Sequence, residues 1–233
     1  MSVLTRSLLI PGVLSGLLLL SACGDPEPRQ RREFIDFLQT RILDRKGAHV
    51  PRLSGNQKEA FGPYVKDYAI IADFATDPDL ARSLATMKRL SSLHSLADVM
   101  AHREDIVAFQ NLVSEDRRGN EQRLNAAEAA RAELKQPDDL KPVFDKVYQR
   151  DVTEVAERAR QAARVFDAFT AAALRISDFV ASNKGRLELT GSMITAHDEK
   201  TLADLQPLLN DLNTQSKAVL ELHSMVQAAG IDD

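Results

Sequence analysis

Hydrophobic residues recur along most of this chain at the three- and four-residue steps of an α-helix. The clearest row is spaced alternately four and three positions apart and consists of Val155, Ala159, Ala162, Phe166, Phe169, Ala173, Ile176 and Val180. Such heptad spacing is typical of helices packed in a bundle. We therefore expect the rings of Phe166 and Phe169 to be buried in the core. The charged residues Glu154, Glu157 and Arg158 fall on the opposite, solvated side.

The same periodicity predicts helices before and after this one. They cover roughly residues 32–45, 54–74, 79–100, 104–135, 139–149 and 198–228. The two that meet near residue 102 could instead be continuous. Gly62-Pro63 falls inside the second helix, where we expect a kink or break because proline removes a backbone donor. Pro207 should bend or restart the last helix, which Asp198 could cap.

The period changes once, between the last two long helices. Residues Leu187–Thr190 alternate in polarity, Gly191-Ser192 supplies a turn, and Met193–Thr195 follows. This pattern predicts a small β-hairpin, which must lean on the helices because two strands alone are marginally stable. The sequence therefore predicts a mostly α fold, a single bundle of about five to seven helices with this hairpin inserted.

The first 22 residues have the pattern of a secretory signal. Arg6 precedes an apolar run from Leu8 to Leu20, and small residues follow it. Thirteen helical residues reach roughly 20 Å, against about 30 Å of hydrocarbon, so the run is too short to span a bilayer. We expect residues 1–22 to be removed.

Leu20-Ser21-Ala22-Cys23 resembles the bacterial lipobox, in which the cysteine is lipidated and the signal is cut before it. Cys23 is the only cysteine of the chain, which suits a chemical role rather than a packing role. The resemblance implies a stable lipid anchor, since several acyl chains on one residue exceed the two signals that anchoring requires. The alternative is an ordinary signal cut near Ala22 that leaves a free thiol.

Residues 23–32 read as a lipidated polar linker that lifts the folded part, residues 33–233, off the membrane. Two prolines and several charges support this interpretation. Gly24, rather than an aspartate, follows the cysteine directly. In the sorting pattern of enteric lipoproteins, which this lipobox resembles, an aspartate directly after the cysteine retains the protein in the inner membrane. A glycine there favours the periplasmic face of the outer membrane.

Composition and charge exclude several function classes. The formal net charge is −4, and it becomes −5 without Arg6, the one charged residue of the first 22. A weakly acidic chain without a long basic block is not typical of nucleic-acid binding. No Cys-x-x-Cys, phosphate-cradling glycine loop or nucleophile elbow occurs, so we expect no cofactor and no enzyme activity.

The Gly-Pro break supplies the candidate binding residues Phe61, Tyr64, Asp67 and Tyr68. A broken helix frees backbone groups, and two tyrosines one turn apart could line a groove. The favoured alternative is that both rings pack into the bundle with their hydroxyl groups at the surface.

His94, Asp98 and His102 share one helical face at steps of four residues. Eight residues rise about 12 Å, so one ion cannot bind all three, although an adjacent pair could supply two ligands. We favour a solvated polar face and expect no metal.

Three stretches carry a family resemblance: Glu33–Gln39 (EFIDFLQ), Phe61–Ile70 (FGPYVKDYAI) and Leu134–Asp145 (LKQPDDLKPVFD). Together with the lipobox they resemble the YiaF-like family of bacterial envelope lipoproteins. That family is a domain of unknown function without assigned catalytic residues. The resemblance implies a lipoprotein and implies no enzyme activity.

The sequence thus favours a non-enzymatic envelope lipoprotein that serves as an interaction or scaffold protein. Its expected partners are the lipid bilayer, through Cys23, and another envelope protein. The alternative function is a periplasmic carrier that binds a small ligand or lipid between helices. A hydrolase ranks lowest because no catalytic constellation is apparent.

Overall fold

The computed structural model describes residues 25–76, 96–190 and 193–228. The first part contains α1 (Glu27–Phe37), the π-helical segment π1 (Leu38–Leu43), α2 (Gly55–Phe61), a 3₁₀ turn (Gly62–Tyr64) and α3 (Val65–Ala75). The second contains α4 (Leu96–Ala101), α5 (Arg103–Ala132), α6 (Lys141–Tyr148), the π-helical segment π2 (Gln149–Thr153) and α7 (Glu154–Ser182). It ends with β1 (Leu187–Thr190), which pairs with β2 (Met193–Ala196), and the third part closes with α8 (Glu199–Ala228).

The predicted mostly α fold is confirmed. α7 packs against both α5 and α8, and α3 packs against α5. None of the described helices is long and apolar enough to cross a membrane. Most of the predicted helix over residues 79–100 lies outside the described residues.

The seam of α7 differs from the predicted row in its first half. Ala173, Ile176 and Val180 are buried as predicted, but Ala156 and Ala163 are buried in place of Ala159 and Ala162. The buried face follows small residues seven positions apart: Ala156, Ala163, Thr170 and Ser177. Small side chains allow the close approach of the two helices that flank α7.

The prediction that Phe166 and Phe169 are buried is wrong, since both rings are only partly buried. Phe166 lies at the margin of the α5–α7 contact, where it meets the ring of Phe109 edge-on at 5.3 Å between centroids. Glu154, Glu157 and Arg158 are exposed as predicted.

The predicted linker is wrong from Glu27 onward, because α1 begins there. Pro28 lies in the first turn, where a proline costs nothing because those N–H groups have no helical partner. The Asp25 side chain accepts a hydrogen bond from the backbone N–H of Glu27 at 3.0 Å. The folded domain therefore starts six residues earlier than its predicted start at residue 33.

The predicted break at Gly62-Pro63 is confirmed. α2 begins with a capping box, in which Ser54 and Gln57 exchange hydrogen bonds at 3.3 and 2.8 Å. It ends at Phe61, and the next residue, Gly62, has a positive φ of 52°, which favours glycine. The 3₁₀ turn then leads directly into α3.

The predicted short helix at residues 139–149 does not end there. α6 continues through π2 into α7, and the backbone N–H of Glu154 bonds to the carbonyl of Gln149, five residues back. π1 closes in the same way, with the N–H of Asp44 2.9 Å from the carbonyl of Gln39. Each π segment holds one extra residue per turn without interrupting its helix.

The hairpin and the cap of the last helix are confirmed. β1 pairs antiparallel with β2, Leu187 opposite Ala196. The carboxylate of Asp198 accepts hydrogen bonds from the N–H and the hydroxyl of Thr201 at 2.8 and 2.7 Å.

Pro207 does not restart α8, which runs through it as one helix. Leu205, Leu208 and Leu212 pack beside Ile176 there and support the weakened turn.

The central position of α7, which contacts both α5 and α8, leads to a prediction about stability. Ile176 is fully buried, so Ile176→Ala should lower the free energy of unfolding by about 2–5 kcal/mol. The exposed change Arg158→Ala should stay within about 0.5 kcal/mol, and Phe166→Ala should fall between the two. Urea unfolding of the chain from Asp25 onward measures all three. Equal midpoints for Ile176→Ala and Arg158→Ala would contradict the central position of α7.

Candidate functional site

A groove of about 610 Å³ lies between the loop at residues 50–53 and the outer side of α3. Its lining is mostly apolar and includes Val50, Pro51, Leu53, Val65, Ala69 and Ala72. The polar residues Arg52, Lys58 and Asp73 line it as well and are exposed. An apolar floor with charged groups around it suits an elongated or amphipathic ligand.

Two hydrogen bonds hold the loop that forms one wall of the groove, one within the loop and one at the residue directly before it. The hydroxyl of Tyr68 donates to the carbonyl of Pro51 at 2.5 Å. The backbone N–H of His49 donates to the carboxylate of Asp151 at 3.2 Å. The loop is therefore fixed to α3 at one point and to π2 at the other.

Asp151 is 1% exposed, and its carboxylate is paired with Arg150. The Nε and Nη2 atoms of Arg150 donate to it at 3.1 and 3.0 Å. The same guanidinium donates to the carbonyls of Ile42 and Leu43 at 2.8 and 3.1 Å, where π1 ends. One buried ion pair thus joins π1, π2 and the groove loop.

Burial raises the pKa of the Asp151 carboxyl, and the hydrogen bonds and charge of Arg150 counteract that rise. Burial also raises the pKa of Tyr68 strongly, and the nearby charge of Asp151 adds to the effect. Tyr68 therefore stays a neutral hydroxyl that donates to the loop carbonyl.

The four predicted binding residues are all buried, and only Tyr68 lines the groove. Phe61 packs between the rings of Phe34 and Phe37, at 5.4 and 5.1 Å between centroids. The rings of Tyr64 and Tyr68 also pack into the bundle, as the alternative prediction stated. The hydroxyl groups of these two tyrosines, however, are not left at the surface.

Tyr64 stacks on Phe34 and donates its hydroxyl hydrogen bond to the carboxylate of Glu27. Burial, together with that carboxylate, raises the pKa of Tyr64 to about 12. Asp67 accepts a hydrogen bond from the side-chain amide of Gln136 at 2.7 Å. Tyr64 thus links the start of α1 to the 3₁₀ turn, and Asp67 links the loop after α5 to α3.

The sequence reasoning missed the loop and Asp151. The signal available for Asp151 was its position, one turn after Val147 and Tyr148, which are both buried. A carboxylate on the inward side of an apolar row indicates a buried pair.

Among the described residues, no cluster of three or more His, Cys, Asp or Glu is placed to bind a metal ion. His94 lies outside the described residues. The Nδ1 atom of His102 is 2.9 Å from the backbone carbonyl of Asp98.

A second feature of the surface is a set of exposed apolar side chains. Leu202 and Leu220 on α8 are 50% and 66% exposed, and Met193 on β2 is 66% exposed. Leu202 and Leu220 are eighteen residues apart, which is five full helical turns, so they lie on the same side of α8.

Comparisons with known proteins agree with the resemblance seen in the sequence. The family described as "Protein of unknown function (DUF3053)" matches residues 12–227. The chain is 29% identical over 202 residues to the uncharacterized protein YiaF of Escherichia coli K12, with 85% of each chain covered. The uncharacterized protein YiaF of Shigella flexneri matches to the same extent. No solved structure matches.

The buried carboxyl of Asp67 predicts a pH dependence. Burial raises its pKa above the unfolded value of 3.8, although the bond from Gln136 opposes the rise. Between the unfolded and folded pKa values the folded chain binds more protons, so its stability falls as the pH rises. Asparagine cannot ionise, and its carbonyl can accept the same bond. Asp67→Asn should therefore gain in melting temperature over the wild type between about pH 4.5 and about pH 7.5.

Asp73→Asn, an exposed change six residues further along α3, is the control for this measurement. Thermal unfolding followed by circular dichroism at the two pH values is sufficient. A melting-temperature difference between Asp67→Asn and the wild type that does not change with pH would contradict the assignment.

Proposed function

We propose, starting from the fact that this chain belongs to the DUF3053 family of proteins of unknown function, that it is a lipid-anchored protein of the bacterial cell envelope. Its helical domain binds another envelope component and catalyses no reaction. The observation that carries the anchor is the lipobox pattern Leu20-Ser21-Ala22-Cys23 after a short apolar run.

Two further observations support the anchor. The family match begins at residue 12, inside the apolar run, and therefore includes Cys23 as well as the helical part. The first described helix begins at Glu27, four residues after Cys23 in the sequence. Gly24 directly after the cysteine favours the outer membrane over the inner one.

Replacing Cys23 by Ser tests the anchor. Serine has no thiol to acylate, so the variant should not take up a palmitate analogue, and it should be recovered uncut or in the soluble fraction. The wild type should be labelled and recovered with membranes. Asp25→Asn, two residues further on, leaves the cysteine in place and is the labelled control. Equal labelling of Cys23→Ser and the wild type would refute the anchor.

The exposed apolar residues of α8 support the proposed binding role. Leu202 and Leu220 stand on one side of this helix and are 50% and 66% exposed. The side of α8 that faces α7 carries Leu205, which is buried. Leu202 and Leu220 are thus accessible to a partner.

The groove beside α3 favours a second candidate function, that of a carrier for a small ligand or lipid. Its volume of about 610 Å³ lies within the range of about 300–1,000 Å³ that ligand sites occupy. Arg52 and Lys58 would receive an anionic group, and the apolar floor would receive the rest of the ligand.

One set of variants separates the two functions. A photo-crosslinking residue in place of Leu220 should capture an envelope protein in intact cells, whereas the same residue in place of the exposed Arg118 on α5 should not. Ala69→Phe fills the groove and should leave this crosslink unchanged, as should the exposed control Ala126→Phe. Loss of a copurified lipid or small molecule with Ala69→Phe alone would favour the carrier.

A further inference from the structure

The tether between the anchor and the folded domain is short. The predicted linker from Cys23 to Glu33 would reach up to about 35 Å if extended. In the structure α1 begins at Glu27, four backbone steps after Cys23, which limits the reach to about 14 Å. The Asp25 side chain also bonds the first turn, so even this short segment is partly fixed.

The start of α1 cannot lengthen the tether by fraying, because it is bound to the rest of the domain. The carboxylate of Glu27 accepts hydrogen bonds from the hydroxyl of Tyr64 and from Arg31. Arg31 also pairs with Asp139 at 3.2 Å, before α6. The side chain of Gln30 lies against Gly62, where even a single Cβ would collide with it.

We propose that the domain rests directly on the bilayer that carries its anchor, on the side that holds the start of α1 and the 3₁₀ turn at residues 62–64. This inference rests on the proposed lipid anchor at Cys23. It gives the anchored protein an orientation, so that it engages partners in or near the membrane plane and not at a distance.

The tether, and not charge, holds this side to the membrane. The charges there are mixed: Arg29 pairs with Glu33 at 3.0 Å, and Arg31 pairs with Glu27 and Asp139. Attraction to anionic lipids would be screened by salt, whereas a covalent tether is not. The contact should therefore persist at high ionic strength.

The test uses the full acylated chain in vesicles of phosphatidylethanolamine and phosphatidylglycerol that contain a nitroxide-headgroup lipid. Arg29→Cys and Arg41→Cys each replace an exposed arginine of the α1–π1 helix, about 18 Å apart along its axis. Each new thiol receives a fluorescent label, and circular dichroism checks that both variants are folded. We expect quenching of the label at residue 29 and its absence at residue 41.

A spacer variant serves as the second measurement. Inserting about 20 Gly and Ser residues between Gly24 and Asp25 adds a coil of roughly 25 Å and should abolish the quenching at residue 29. The quenching in the unmodified tether should be unchanged in about 0.5 M NaCl, where the Debye length is about 4 Å.

Each other outcome overturns a defined claim. Label on the chain without an introduced cysteine would mean that Cys23 is not acylated, which would overturn the proposed anchor and this inference with it. An acylated chain with equal quenching at residues 29 and 41, quenching that survives the spacer, or quenching lost in salt would overturn this inference alone.

Discussion

The buried ion pair of Asp151 with Arg150 is the interaction on which the groove side of the domain depends. A carboxylate that is 1% exposed is costly to bury unless its hydrogen bonds are satisfied. Here they come from Arg150 and from the backbone of His49. Breaking a buried pair by removing one partner typically costs about 3–5 kcal/mol, a large share of the roughly 5–15 kcal/mol that holds a domain together. The groove loop would lose its link to π2 at the same time.

The guanidinium of Arg150 also resolves a backbone problem. The last carbonyls of a helix have no intrahelical partner, and that of Leu43 accepts a hydrogen bond from this side chain. The same guanidinium also donates to the carbonyl of Ile42, which accepts a second bond from the backbone N–H of Arg45. A cation at the C-terminal end of a helix is stabilised by the helix dipole as well. One arginine therefore binds the carbonyls at the end of π1 and neutralises the Asp151 carboxylate in π2. The two segments lie more than a hundred residues apart in the chain.

The parts of the fold that the sequence predicted rest on local signals. The break at Gly62, the hairpin after α7 and the Asp198 cap each follow from a few adjacent residues. The seam of α7 was misplaced in its first half because alanine occupies both the predicted positions, Ala159 and Ala162, and the buried ones, Ala156 and Ala163. The buried row continues through the small polar residues Thr170 and Ser177, which a hydrophobic pattern does not select, and Phe166 lies at its margin.

The candidate site was harder to predict because its contacts are distant in sequence. Tyr68 was identified, but its bond to Pro51 spans 17 positions, and the bond of Asp151 to His49 spans 102. No periodicity within one helix reports such a pair. The start of α1 was missed for a related reason, since Glu27 is held by Tyr64, 37 positions away.

The π2 segment has a consequence for how this chain tolerates changes in length. Each residue advances an α-helix by about 100°, and a π turn absorbs one extra residue without a break. Deleting one residue among positions 149–153 would restore α-helical bonding and rotate α6 by about 100° relative to α7. Phe144 and Tyr148, now buried, would then be carried off the core face although no apolar residue had been removed. At π2, the number of residues, more than their identity, determines how α6 is rotated relative to α7.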